Sequence, residues 1–266
     1  MIRICLAGVS GWVGRGLVPE IAAAPDLELA GAVARAGAGQ KLPELLGSGA
    51  PPVEVRASVA EALAGSPCDV LIDYTSPEVV RGNVLEAVSR GVHAVIGTSG
   101  LGEEDFAAID AAARQRGVGV LAAGNFALTA VLLQRFAEIA ARHVAQWEIL
   151  EYARASKPDA PSGTARELAA RLSKVRPPAS AHPIADTFGM KEARGATLLE
   201  TQIHSIRLPG FLSSIEILFG MPEERLSIRH DSGSGAGPYV AGTLLAARRV
   251  GAFVGLRRGL DSVLEL

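Results

Sequence analysis

The chain has 266 residues, of which 48% are apolar and 20% charged, and a formal net charge of −2. That suffices for one large or two small cores without staples, and the near-neutral balance argues against a nucleic-acid partner, which would impose a basic footprint. No apolar run approaches about 18 residues, so no helical membrane span is expected, and Met1 leads straight into an apolar run with no charged leader and cleavage site, so no signal peptide is expected. Cys5 and Cys68 lie in strand-like runs without metal-ligand spacing; they read as buried free thiols of a cytoplasmic protein, and no metal site is expected.

In chain order, residues 2–7 form the first strand-like run. A glycine-rich turn spans 8–14, and helical spacing follows over 13–24. Residues 27–34 predict a second strand, and the Gly/Pro-rich stretch 36–52 reads as an irregular connection. Residues 59–64 predict a short helix and 70–74 a third strand. A helix over 77–90 opens on a proline in its first turn. A strand over 94–97, a helix over 103–116 and a strand over 118–123 complete the alternation. Strands alternating with helices imply a doubly wound parallel sheet with helices on both faces.

After Asn125 the rhythm changes. Residues 128–144 predict a long amphipathic helix, 148–152 a strand and 162–172 a helix. The polar stretch 176–196 reads as a loop. Strands over 199–206, 213–219 and 226–230 then follow without helices between them, which suggests a mixed or antiparallel sheet and a second α+β domain. Residues 237–250 return to helix. The expected division is a dinucleotide-binding domain of 1–127 plus 237–266, and a substrate-binding and oligomerisation domain of 128–236.

The run Gly8-Val9-Ser10-Gly11-Trp12-Val13-Gly14 joins the first strand to the first helix. Glycines there allow a sharp reversal, close approach of the backbone to a pyrophosphate and tight packing of helix on sheet. The free amides at the helix start then face an anion. Gly8, Gly11, Trp12, Val13 and Gly14 are the expected cofactor contacts of a Rossmann domain, with Ser10 standing where the middle glycine is usual. The acid that binds ribose hydroxyls about 20 residues on is absent: Ala34 and Arg35 stand there. Arg35 suits a 2′-phosphate through its planar fork, so NADPH is expected over NADH.

Further runs occur in a fixed order: Asp73-Tyr74-Thr75-Ser76-Pro77-Glu78, Gly97-Thr98-Ser99-Gly100, Asn125-Phe126, and Lys157-Pro158-Asp159-Ala160-Pro161-Ser162-Gly163-Thr164-Ala165. With the glycine turn and the terminal Leu260-Asp261-Ser262-Val263-Leu264, they resemble the dihydrodipicolinate reductase family over essentially the whole chain. The resemblance implies an NAD(P)H-dependent reductase of the lysine pathway, a homotetramer associating through its substrate-domain sheets, which reduces a cyclic imine-type dicarboxylate in an interdomain cleft. It implies that Thr75 lies near the diphosphate and ribose, and that Gly97, Thr98, Ser99, Asn125 and Phe126 border the nicotinamide. A buried core phenylalanine is an equal reading of Phe126. Lys157, Ser162, Gly163, Thr164 and Arg207 are the implied substrate contacts. Ser162 as helix cap, with the amides of Gly163 and Thr164 behind it and the charge of Lys157 upstream, suits a carboxylate.

The chain departs from the family where two adjacent histidines precede the lysine. Ala153 and Arg154 stand there. Alanine donates nothing; arginine stays charged and is a poor acid, though it stabilises negative charge. Leu212-Ser213-Ser214-Ile215 replaces a Gly-Glu-His run. Lys157 and Arg154 are therefore the expected catalytic groups. The leading expectation is a reductase acting on a different carboxylate-bearing imine, iminium or activated double bond. Two alternatives stay open: a genuine 4-hydroxy-tetrahydrodipicolinate reductase, and a nucleotide-binding sensor without turnover.

Overall fold

A computed structural model describes residues 1–265. They divide into two compact units, one of residues 1–128 with the segment from Ala236 onward, the other of residues 129–235.

The first unit is built on β1 (Ile2–Ala7), β2 (Leu27–Val33), β3 (Val55–Arg56), β4 (Val70–Asp73), β5 (His93–Ile96), β6 (Gly119–Ala122) and β12 (Gly255–Arg258). These seven strands pair in parallel in the order β12-β6-β5-β4-β1-β2-β3. All four residues of β4 and of β6 are buried, which is why central strands of such a sheet read as unbroken apolar runs. β1 lies between β2 and β4, so the winding reverses at its carboxyl end, the place where open α/β sheets bind ligands. Helices α1 (Trp12–Ala23), α3 (Val59–Gly65), α4 (Pro77–Ser89), α5 (Glu103–Arg116) and α8 (Gly237–Arg249) belong to this unit. Helix α5 begins with Glu103, Glu104 and Asp105 and ends with Arg114 and Arg116 before Gly117 at φ 76°. Its charges complement the helix dipole, and the glycine takes the left-handed terminus.

Two strands and a helix of this unit escaped the sequence reading. β3 is only two residues long, and half of β12 is arginine. The connection over 36–52, expected to be irregular, contains the short helix α2 (Leu42–Leu46), with Pro43 in its first turn.

The second unit carries a mixed sheet of β7 (Gln146–Ala153), β8 (Ala196–Leu198), β9 (Thr201–Arg207), β10 (Ser213–Met221) and β11 (Glu224–Ser232), in the order β11-β10-β7-β9-β8. β7 and β9 are parallel; the other pairs are antiparallel. Trp147, Ile149, Glu151 and Ala153 alternate as the buried residues of β7. On that face Trp147 and Ile149 join Leu133 and Ala137 of α6 (Leu128–Ala141), and Leu168 and Leu172 of α7 (Gly163–Ser173), in one apolar core. Ile215, Ile217 and Phe219 pack into the same core, so the apolar positions of β10 serve their own unit rather than a partner. The strand expected over 199–206 is β9 from Thr201 onward; Leu199 and Glu200 take φ 49° and 64° in the turn that joins it to the unexpected strand β8. Such turns favour Gly, Asn and Asp, which is why a leucine and a glutamate gave no turn signal.

Cys5 is buried, Cys68 half-buried, and both are free thiols. Among the described residues no helix is long and apolar enough to cross a membrane, and no three potential metal ligands cluster.

Candidate active site

At the end of β1 the chain turns through Gly8, whose φ is +87°. A Cβ there would stand 2.1 Å from the Tyr74 carbonyl oxygen, and one on Gly14 would stand 2.2 Å from the Gly8 carbonyl oxygen. No other residue type fits either place. Gly11 N donates to Gly8 O at 2.9 Å, and Ser10 turns its carbonyl to Arg15 Nε at 2.9 Å. Helix α1 then follows Gly11 at its N-terminus, with no side-chain cap and no acid in its first turn. The amides of Trp12, Val13 and Gly14 have no intrahelical acceptor, and that is the donor set a diphosphate requires. The Trp12 side chain is 57% exposed and meets Tyr239 edge-on, with 5.5 Å between ring centroids.

The ends of β4 and β5 are tied together by Asp73, which is fully buried. Its Oδ1 accepts from Thr75 N at 3.0 Å, Thr75 Oγ1 at 2.7 Å and Thr98 Oγ1 at 2.7 Å, and its Oδ2 accepts from Asn83 Nδ2 at 2.8 Å. Thr98 Oγ1 also accepts from Thr75 N at 2.8 Å. Two expected cofactor residues, Thr75 and Thr98, are thus brought together by a carboxylate the sequence did not single out. Tyr74 was also missed. Its hydroxyl lies 2.7 Å from Thr243 Oγ1, and burial pushes its pKa above the usual phenol range despite that bond. The Tyr74 ring lies against Gly97, where a Cβ would approach within 2.2 Å. What comes close to Gly97 is therefore this ring. Phe126 is 1% exposed and packs edge-on to Tyr74, so its side chain belongs to the core. Asn125 Oδ1 accepts from Ala127 N at 2.8 Å, fixing the turn after β6. Ser99 is exposed at the rim of the same strand ends.

Arg35 stands exposed just beyond β2. Ser76 and, more weakly, the charge of Arg35 hold the Glu78 carboxyl below its ordinary range. That places a cation at the strand end next to β1, away from the Thr75–Thr98 cluster by one strand.

In the second unit Ser162 caps α7, its side chain accepting from Ala165 N at 3.2 Å. Its own amide donates to both oxygens of Glu151, at 2.9 and 3.0 Å. Gly163 and Thr164 supply the next two amides, and no acid stands in the first turn. Lys157 Nζ lies 2.6 Å from Asp159 Oδ1, and this ammonium holds the Asp159 carboxyl below its usual range. Arg207 does not reach toward open space. Its Nη2 donates to Glu151 Oε1 and to Asp159 O, both at 2.7 Å.

Ala153 is the last residue of β7, 2% exposed, and pairs with Arg207 on one side and Ser213 on the other. Arg154 follows the strand end and is exposed. The remaining histidines form no cluster. His93 Nδ1 accepts from Gly119 N at 2.9 Å, and burial lowers its pKa. His204 pairs with Glu148 at 2.7 Å. His230 meets Thr129 Oγ1 at 2.9 Å and is likewise lowered by burial.

Comparison with known proteins covers both units. The family model for the N-terminus of dihydrodipicolinate reductase matches residues 2–126, and that for its C-terminus matches residues 129–264. The 4-hydroxy-tetrahydrodipicolinate reductase of Synechococcus elongatus is 38% identical over 99% of this chain and 98% of its own length. The enzyme of that name from Nocardia farcinica is 37% identical over 100% and 99%. A solved structure, a dipicolinate-bound dihydrodipicolinate reductase from Paenisporosarcina, superimposes with a TM-score of 0.87 at 30% identity, covering 99% of this chain and 100% of that one. The expectation of an altered substrate finds no support among these relatives. With both family models matched across nearly its full length, the chain belongs to the dihydrodipicolinate reductase family of NAD(P)H-dependent oxidoreductases.

Proposed function

We propose that the chain is a 4-hydroxy-tetrahydrodipicolinate reductase that works without the histidine pair. The observation that carries this reading is the α7 start, where the amides of Gly163 and Thr164 and the Ser162 cap adjoin a loop bearing Lys157. A helix start with no acid in its first turn, beside an ammonium, suits one carboxylate of a cyclic dicarboxylate. On the first unit, the amides of Trp12, Val13 and Gly14 hold the diphosphate, and Thr75, Thr98, Ser99 and Asn125 line the strand ends where the nicotinamide lies. Phe126 supports that seat from the core through Tyr74. Arg35 holds the 2′-phosphate, which makes NADPH the preferred cofactor over NADH.

A bound reduced nicotinamide supplies a hydride to the electron-poor carbon of the substrate's conjugated imine. The accompanying proton comes from the Lys157 ammonium or a water it orders, since Ala153 has none and Arg154 holds its own too tightly. Asp159 holds Lys157 in place until substrate arrives. Orientation of the bound dicarboxylate supplies much of the rate. The oligomer of this reading is a homotetramer formed through the sheet face that carries Glu148, Tyr152, Glu216 and Arg229.

The test is steady-state oxidation of NADPH with enzymatically generated dihydrodipicolinate. Turnover saturating in both substrates is expected. No oxidation of either reduced nicotinamide at millimolar substrate, while pyridine-2,6-dicarboxylate still binds, would sink the assignment.

A further inference from the structure

Glu151 is a carboxylate 2% exposed near the end of β7, and no step of the reduction uses it. Its two oxygens take the Ser162 amide, Ser205 Oγ at 2.6 Å and Arg207 Nη2 at 2.7 Å. Arg207 extends the same grip to Asp159 O at 2.7 Å and anchors itself on Ile206 O at 3.0 Å through Nη1. Two side chains therefore hold both ends of residues 159–162, the four residues that lead into α7. Register explains the meeting: Glu151 pairs with Ser205 and Ala153 with Arg207 across parallel β7 and β9, so all four side chains share one face. Arg207 Nε is buried with no hydrogen-bond partner among the described residues. The guanidinium is held by what it grips, at the cost of one orphan donor.

An unneutralised carboxylate hydrogen-bonded to the first amide of α7 would repel any anion at that helix start. The Arg207 charge removes that repulsion. We propose that Arg207 serves the substrate-carboxylate seat from behind by cancelling the Glu151 charge, so that it is a positioning residue and makes no contact with substrate. This rests on the function proposed above, and it departs from the direct contact that the family resemblance implies for Arg207.

The two roles separate in a double-variant series. Arg207→Met is expected to raise the KM for dihydrodipicolinate at least tenfold and leave the KM for NADPH unchanged. Glu151→Gln alone is expected to lower the substrate KM a few fold, because Arg207 then carries an uncancelled charge. The combination of Glu151→Gln with Arg207→Met is expected to return the KM to within about threefold of the parent, although the arginine is gone. If the double variant is as impaired as Arg207→Met, the guanidinium touches substrate and the proposal falls. Should Arg207→Met not fold, Arg207→Lys replaces it: a KM within a few fold of the parent supports charge cancellation, and a loss of tenfold or more supports a direct forked contact. If the parent binds NADPH but turns over no dihydrodipicolinate, the function proposal fails by itself. The same series is then read as calorimetric Kd values for pyridine-2,6-dicarboxylate, where the same pattern of loss and recovery is required. Absence of that binding in the parent overturns the positioning role too.

Discussion

Tyr74 and Gly97 occupy one space: a Cβ on residue 97 would stand 2.2 Å from Cε1 and Cζ of the Tyr74 ring. The ring has nowhere else to go. Thr243 Oγ1 gives its single proton to Tyr239 O at 2.7 Å, so the Tyr74 hydroxyl is the donor in its 2.7 Å bond to Thr243. Phe126 packs edge-on against the same ring. Gly97→Ala is expected to destabilise the protein by about 1–3 kcal/mol through overpacking. It is also expected to weaken NADPH binding, because the Thr75–Thr98 cluster follows directly. Urea unfolding together with a cofactor titration checks both; parent-like stability would show that the ring moves freely.

In the proposed function, cofactor choice turns on Arg35. Ala34 supplies no carboxylate to bind a free 2′-hydroxyl, and Arg35 is exposed beside it. A charge-assisted contact of this kind contributes roughly 1.5–3 kcal/mol. Arg35→Ala is therefore expected to lower kcat/KM for NADPH by roughly tenfold or more and to change that for NADH less than twofold. Equal losses with both nicotinamides would mean that Arg35 acts on the fold and not on the phosphate.

The proposed function gives Lys157 two separable duties: its ammonium attracts the carboxylate and supplies the proton in a loop without histidine. It is held 2.6 Å from Asp159 Oδ1. Lys157→Arg keeps the charge but surrenders the transferable proton. It is expected to hold the substrate KM within a few fold while kcat falls at least tenfold. Lys157→Met is expected to damage both. If Lys157→Arg retains parent kcat, a water unconnected with this side chain delivers the proton.

The alternation of apolar runs and glycine turns made the first unit's sheet and the order of its helices legible, because buried parallel strands and phosphate-binding turns impose strong local patterns. The turn at Gly8, Gly11 and Gly14 and the Ser162 cap were legible because backbone approaches Gly8 and Gly14 too closely for a Cβ and the start of α7 needs a side-chain acceptor. The short β3 and β12 were not, since their pairing comes from neighbours and not from their own two or four residues. The roles of Asp73 and Glu151 were not legible for a related reason. Their partners lie on other elements, as with Thr98 for Asp73 and Arg207 for Glu151, and no spacing along the chain encodes a network that closes only in space. Arg207 shows the converse limit. Its presence was legible, but the direction of its fork depends on a carboxylate 56 residues away.

The Glu151 network also makes stability depend on acid. Burial by itself pushes the Glu151 carboxyl up, but hydrogen bonds from Ser162, Ser205 and Arg207 outweigh it, and the net pKa lies below the ordinary glutamate range. In the window between the folded and unfolded values, the unfolded chain binds the extra proton, so stability rises with pH there. The contribution is fully present above the ordinary glutamate value and is lost as pH falls through the folded one. Glu151→Gln removes this titration and leaves the half-buried Arg207 without a charged partner, which destabilises the protein at neutral pH. The variant is therefore expected to be less stable at pH 7 yet to show a flatter fall in unfolding free energy below about pH 4.5. Urea titrations at half-unit steps from pH 7 to pH 3 measure both the level and the slope. An acid limb as steep in Glu151→Gln as in the parent would assign the acid sensitivity to other carboxylates.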